Sequence, residues 1–420
     1  MQKSSYIPKL RWPLDLRMEK VEGKDVLLIN CPLGISKSPL FLIPQVAPLV
    51  ASLDGELSIA QLTQKFSLYG ITETLLQELV TLLDDHLFLN SEHFNRAKIA
   101  FLSAYAAETH RPPALAGLSY PSDRSSLSSL VDSYLSNGII AQSASLQSQK
   151  LVTFMAPHID YGRGGTCYGS SYRHLKGATQ DVVIVIGTSH QYSTHLFHLT
   201  CKHFDSPLGR LETDVEFVIA LSSKYGSLRS FADEILHRKE HSLELQVPFM
   251  QRTCKGKIVP VLVGSFHHMV TAGKLPSSYE DYDRFADALT ETISTWQARG
   301  SRIAFVAGVD MAHIGQQFGD NELLSPEFME NIRTRDTQYL MALESRNKKA
   351  LFEHIAEDGD KRRICGFPTM YTVLDIMDRL KLSTDSVVFG YEQSVDKDRV
   401  CGVTFAGMGF YTKVTPHASF

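Results

Sequence analysis

The chain has 420 residues, 43% hydrophobic and 21% charged, a balance that suits one large globular domain with a smaller appendage and excludes long disorder. A formal net charge of -4 provides no basic field for nucleic acid or an anionic membrane, so neither is expected as a partner. Six cysteines without a CxxC pair fit neither a disulfide scaffold nor a zinc finger and read as reduced thiols.

The opening stretch MQKSSYIPKLRWPLDLRMEK holds no apolar run of signal-peptide length, and PLFLIPQVAPLVASL is interrupted by prolines, so a cytoplasmic protein is expected. RMEKVEGKDVLLIN alternates as a strand pair turning at Glu22-Gly23. LSIAQLTQKF, with Ser58 as N-cap, and TETLLQELVTLLDDHLFL carry helical spacing of apolar residues. This order suggests a winged-helix-like unit, and the pattern around GELSIAQL resembles the PqqD-type peptide-recognition domain. A peptide ligand for this module is therefore one expectation; a packing or dimerisation extension is the other.

A helical stretch from NRAKIAFLSAYAAETH meets Arg111-Pro112-Pro113, where consecutive prolines favour extended chain. The boundary is placed there: residues 1–110 form a small α+β module with a connecting helix, and 111–420 a larger α/β domain. In the Ser-rich tract SDRSSLSSLVDSYLSNG, Leu127, Leu130, Val131 and Leu135 share a helical face. LVTFMAP, TCYGSSYRHLK and DVVIVIG then read strand, helix, strand, the signature of a right-handed parallel unit. KIVPVLVG and RIAFVAGV repeat the strand pattern, with the amphipathic helix DYDRFADALTETISTWQA before the second. SVVFGYEQ and VCGVTFAGMGFYT close the chain as strands, some pairing antiparallel.

Ligands of open α/β sheets bind outside the carboxyl ends of the strands. Those ends here carry His158 and Asp160, Ser189 and His190, His267 and His268, and Asp310 and His313. Imidazoles converging from rigid strands are what a metal site needs, and His158 and His190 follow two strands expected to be neighbours. Cys365 precedes an amphipathic helix, where backbone N–H groups and Arg362 and Arg363 are expected to lower its pKa. It reads either as a third ligand or as a buried inert thiol. Asp310 and His313 suit a general acid/base whose tautomer the carboxylate fixes, or two further ligands. His241 and Glu244 lie one turn apart but do not make HExxH, which favours a supporting or substrate-facing role. Arg163 with Gly164-Gly165 reads as an anion-binding turn or a tight strand-to-helix turn. His195, His198 and His203 read as surface or packing residues.

The blocks RPPALAGLSYP, MAPHIDYGRGGTCYG, VIGTSHQ, HRKEHSLELQVPF, VDMAHIG and RRICGFPTMYTVL, in this order over about residues 111 to 413, resemble the Memo family, most of all the bacterial branch often called AmmeMemoRadiSam system protein B. The resemblance implies a mixed sheet flanked by helices, similar to the type III extradiol, LigB-like dioxygenases. It implies metal ligands His158, His190 and Cys365, the cysteine standing where the dioxygenases have a carboxylate, with His313 as the catalytic histidine and Asp310 beside it. Arg163, His241 and Glu244 are the expected substrate contacts. A thiolate among imidazoles admits Fe(II), copper or zinc. A radical S-adenosylmethionine protein and an AMMECR-like protein are the implied partners. The resulting expectation is a metal-dependent redox enzyme. The alternatives are a non-catalytic metal-binding adaptor for a peptide or partner, and zinc-dependent hydrolysis.

Overall fold

The computed structural model describes residues 4–36, 38–139, 149–175, 179–321 and 323–413. The chain divides into two compact units, Met1–Glu108 and Thr109–Phe420.

In the first unit β1 (Asp15–Val21) and β2 (Lys24–Asn30) pair antiparallel, and β3 (Leu40–Leu42) joins the far side of β2. The turn between β1 and β2 places Glu22 at φ 50° and Gly23 at φ 77°, the two left-handed residues that match the twist of a tight hairpin. After a five-residue helix at Ala47–Ala51 come three longer ones: α1 (Ile59–Phe66), α2 (Glu73–Asp85) and α3 (Glu92–Ala107). Each of the three starts on a side-chain cap, at Ser58, Thr72 and Ser91, and Ser58 with Gln61 completes a reciprocal capping box. Leu27 and Ile29 of the sheet pack with Ile59, Leu62, Leu76 and Val80 of the helices in one apolar core.

The second unit is built on an eight-stranded mixed sheet. Its strands are β4 (Gln149–Ala156), β5 (Val182–Thr188), β6 (Phe197–Leu199), β7 (Lys257–Val263), β8 (Ile303–Gly308), β9 (His313–Ile314), β10 (Asp385–Val395) and β11 (Gly402–Lys413). The order is β9-β11-β4-β8-β5-β7-β6, with β10 on β11. β4, β8, β5 and β7 are mutually parallel, while β6, β9, β10 and β11 run antiparallel to their neighbours. Every residue of β5 is buried, as expected of a strand covered on both faces.

On one face Ile184, Ile186, Val259 and Val261 share a core with α8 (Glu280–Ala298) and α10 (Phe367–Arg379); the unit also contains α4 (Arg124–Asn137), α5 (Tyr161–Tyr172), α6 (Val215–Tyr225), the short α7 (His241–Glu244) and, between α8 and α10, α9 (Pro326–Glu344). On the other face Phe154 meets Tyr172 of α5 edge-on at 4.9 Å, and Tyr168 stacks on Phe249 at 5.1 Å. Helix α5 begins earlier than its sequence suggests. Asp160 caps it by accepting from the Arg163 N–H at 3.2 Å, so Gly164 and Gly165 lie inside the helix and not in a turn before it. A Cβ on Gly164 would come within 2.5 Å of Ile159, and one on Gly165 would enter the Tyr134 ring; the glycines serve close packing and form no anion-binding loop. No helix among the described residues is long and apolar enough to cross a membrane.

Candidate metal centre

Strand register brings the first side chains together. Gly308 of β8 pairs level with Ala156 of β4 on one side and with Gly187 of β5 on the other. The residues just past these three ends are therefore neighbours: His158 after β4, His190 after β5, and Asp310 after β8. His158 is buried, and its Nδ1 lies 3.0 Å from the Gly308 carbonyl. Its backbone N–H donates to Asp310 Oδ1 at 2.8 Å.

Glu240, the residue before α7, completes the arrangement. Its side chain is buried and caps α7 by accepting from Ser242 N–H at 3.0 Å. The same Oε1 lies 2.9 Å from His190 Nδ1 and 3.1 Å from His241 Nδ1, and Oε2 accepts from the His190 backbone N–H at 3.0 Å. Burial works against the Glu240 charge, but the two imidazoles outweigh it and hold the carboxyl well below its usual range. The rings of His190 and His241 stack at 4.3 Å, and His158 meets each edge-on at 5.0 Å. Among the described residues, the group of metal-ligating type whose donor atoms lie within 4.8 Å of one another is His158, His190 and His241.

This donor set fits a metal ion. A carbonyl and a carboxylate can only accept, so all three Nδ1 atoms carry the hydrogen, which leaves Nε2 as the nitrogen that each ring would offer to a metal. Burial, then the neighbouring His190, His241 and His313, pushes His158 well below the usual imidazole range, so it stays neutral. His241, expected from its spacing to have a supporting or substrate-facing role, stands with the cluster and also lines the smaller cavity. Glu240 went unread in the sequence; the available signal is a carboxylate directly before the helix-opening His241, at the N-cap position.

Cys365 reaches the cluster through His158, its Sγ 3.2 Å from Nε2. Its pKa departs from the sequence expectation: burial and then Asp310 push the thiol well above its usual range. The two arginines that precede it point elsewhere. Arg362 binds Asp358 at 3.0 Å and Asp336 at 3.2 Å, and Arg363 binds Asp320 at 2.8 Å.

His313 and Asp310 are likewise not the pair their spacing suggests. The His313 Nδ1 is held by the carbonyls of Met311 and Arg363, at 3.1 and 3.2 Å, and its ring meets Phe318 edge-on. Burial and His190 lower His313 to about 4. Asp310 turns to His158 instead, and burial raises its carboxyl to about 7 against the opposing His158 N–H bond.

Two cavities flank the cluster. One of about 430 Å³ is bordered by His158, His241, Asp310 and His313, with Arg163 and Lys239 among its other lining residues. Arg163 is partly exposed and paired to Asp160. The other, about 670 Å³, lies on the outer side of His190 and takes in His195, His267 and His268. His198 is fully buried, and His203 accepts from Thr213 N–H at 3.0 Å. Glu244 faces neither cavity lining: it is buried against Arg111, with the N–H groups of Ala114 and Leu115 and the Tyr120 hydroxyl as donors.

Residues 111–408 match the family model described as Memo-like protein. A MEMO1 family protein of Aquifex aeolicus is 24% identical over 393 residues, which span 92% of this chain and 96% of that protein, so the likeness extends into the first unit. MEMO1 family proteins of Archaeoglobus fulgidus (26% over 204 residues; 48% and 67% of the two chains) and Methanobrevibacter smithii (34% over 163; 37% and 57%) match shorter spans.

Proposed function

Since the chain belongs to the Memo-like protein family, we propose that it binds a metal ion through His158, His190 and His241, with the Cys365 thiolate joining on metal binding, and that it works as a metal-dependent redox enzyme. The observation that carries this reading is the set of three imidazoles whose Nδ1 atoms are all engaged by acceptors and whose ligand atoms, one from each ring, lie within 4.8 Å of one another. Bound Fe(II) or copper would provide electron transfer and open positions for substrate, while zinc would provide Lewis acidity alone.

The surrounding residues have separable tasks. His313, which lines the smaller cavity, is neutral at pH 7 and anchored through Nδ1, and moves a proton at its other ring nitrogen. Asp310 holds the His158 backbone through its carboxylate. Arg163 and Lys239 orient an acidic part of the substrate, and Phe318 shields the His313 ring from water. The placement of His158 and His190 past parallel strand ends supports the likeness to LigB-like dioxygenases. The ordered motif blocks support the AmmeMemoRadiSam protein B branch, with a radical S-adenosylmethionine protein and an AMMECR-like protein as partners in the cytoplasm.

Metal analysis of protein purified without air tests the reading. A redox metal at about one per chain, absent from His158→Ala, is the expected result. Metal-free protein with full biological activity would sink it. A His313→Ala variant that keeps its metal and every measurable activity would leave the adaptor reading instead.

A further inference from the structure

We propose that Arg111 is a positioning residue for the metal centre and acts through Glu240; the proposal rests on the metal-binding reading above. Arg111 is 0% exposed, and burying a guanidinium is costly unless fixed acceptors meet it; Nε and Nη2 have them, while Nη1 has no partner among the described residues. The acceptors all lie on one short stretch of chain. Nε donates to the His237 carbonyl, Nη2 donates to the Glu240 carbonyl at 2.9 Å, and Nη2 also pairs with Glu244 Oε2 at 2.6 Å. The guanidinium carbon sits 5.3 Å from the Phe204 ring centre, which fixes the plane of the fork.

Arg111 thus grips both ends and the middle of the segment 237–244. Glu240 is the middle. Its backbone carbonyl is held by Arg111 from one side, while its carboxylate holds His190 and His241 from the other. A shift of this residue moves two ring orientations together. Glu244 extends the grip to the cavity: by accepting from Ala114 N–H at 3.0 Å, Leu115 N–H at 2.7 Å and Tyr120 OH at 2.6 Å, it seats the loop whose Leu115 and Ser119 line the smaller cavity. One buried ion pair therefore sets a cavity wall and the carboxylate that orients two candidate ligands. A lysine at 111 would keep the charge but lacks the planar fork needed to reach three acceptors.

The test is Co(II) titration of metal-free full-length protein, read by affinity and by the visible absorption spectrum, which reports coordination geometry. The double variant Arg111→Met/Glu244→Met removes both charges together, so no ion is left buried without its partner, and it should fold with a lower thermal midpoint because the Ala114 and Leu115 N–H groups and the Tyr120 hydroxyl lose their acceptor. It should bind Co(II) about 10–100-fold more weakly, the usual effect of losing an outer partner of a ligand, with an altered spectrum. Arg111→Lys should change affinity in the same direction, and it decides the matter if the double variant does not fold. A folded variant with the parent's Co(II) affinity and spectrum overturns the proposal alone. A parent chain that takes up no Co(II) overturns the metal reading and this proposal with it.

Discussion

At the scale of single residues, the question is which atoms hold the ion. Glu240 binds both His190 Nδ1 and His241 Nδ1, so Glu240→Gln replaces a charged acceptor by an amide that can accept at only one atom. Co(II) affinity should fall about 10–100-fold while the helical circular dichroism of the protein is retained; unchanged affinity would mean that the carboxylate does not orient the ligands. Cys365 poses a different test because its thiol lies 3.2 Å from His158 Nε2. If its sulfur binds the ion, Co(II)-loaded parent protein will show a thiolate charge-transfer band in the near ultraviolet that Cys365→Ser lacks, while His241→Ala keeps the band with weaker binding. Identical near-ultraviolet spectra for parent and Cys365→Ser would remove the cysteine from the ligand set.

At the scale of elements, the short helix α7 decides where His241 points, and two glycines allow it to lie against the sheet. A Cβ on Gly187 would stand 2.5 Å from Ser242 Oγ, and one on Gly308 would stand 2.5 Å from the Ser242 carbonyl oxygen. Ser242 Oγ also donates to the Thr188 carbonyl at 2.8 Å, which ties the helix to the end of β5. Gly308→Ala meets backbone that cannot swing aside, so overpacking of about 1–3 kcal/mol is expected in urea unfolding, together with weakened Co(II) binding. Wild-type stability would show that α7 has slack the geometry does not suggest. Much at this scale was legible from the sequence. The β1–β2 turn at Glu22-Gly23, the Ser58 cap and the four parallel strands follow from alternation, cap chemistry and apolar runs, which are local signals. The start of α5 was not, because Gly164 and Gly165 read locally as helix breakers while Tyr134 and Ile159, distant or off-helix, require them there.

For the whole molecule, buried imidazoles far from solvent set the response to acid. Burial lowers His198 to about 4 and His237 to about 3, whereas the unfolded chain takes up protons near pH 6.5. Between those values the unfolded state binds more protons, so stability is lost as pH falls from about 6.5 toward 4, by roughly 2 kcal/mol per histidine between pH 7 and 5. Asp310, whose folded carboxyl lies at about 7, has the opposite slope, since it keeps a proton that the unfolded chain releases. Comparing His237→Gln with the parent cancels that shared contribution. Urea unfolding at pH 7 and pH 5 should show a smaller acid loss in the variant, by roughly 2 kcal/mol; equal losses would mean that His237 titrates alike folded and unfolded.

Sequence alone determined the α/β class, the parallel strand series and the strand-end placement of His158 and His190, because periodicity and short-range chemistry dictate which segments become strands and where they stop. It also carried the family, through ordered blocks between residues 111 and 413. Tertiary structure alone decided which side chains meet. His241 joins the cluster, Glu240 serves two rings, Arg362 and Arg363 turn from Cys365 to distant carboxylates, and Arg111 is held by residues more than a hundred positions away. A side chain's partner depends on register and on the packing of remote segments, and no local pattern encodes either.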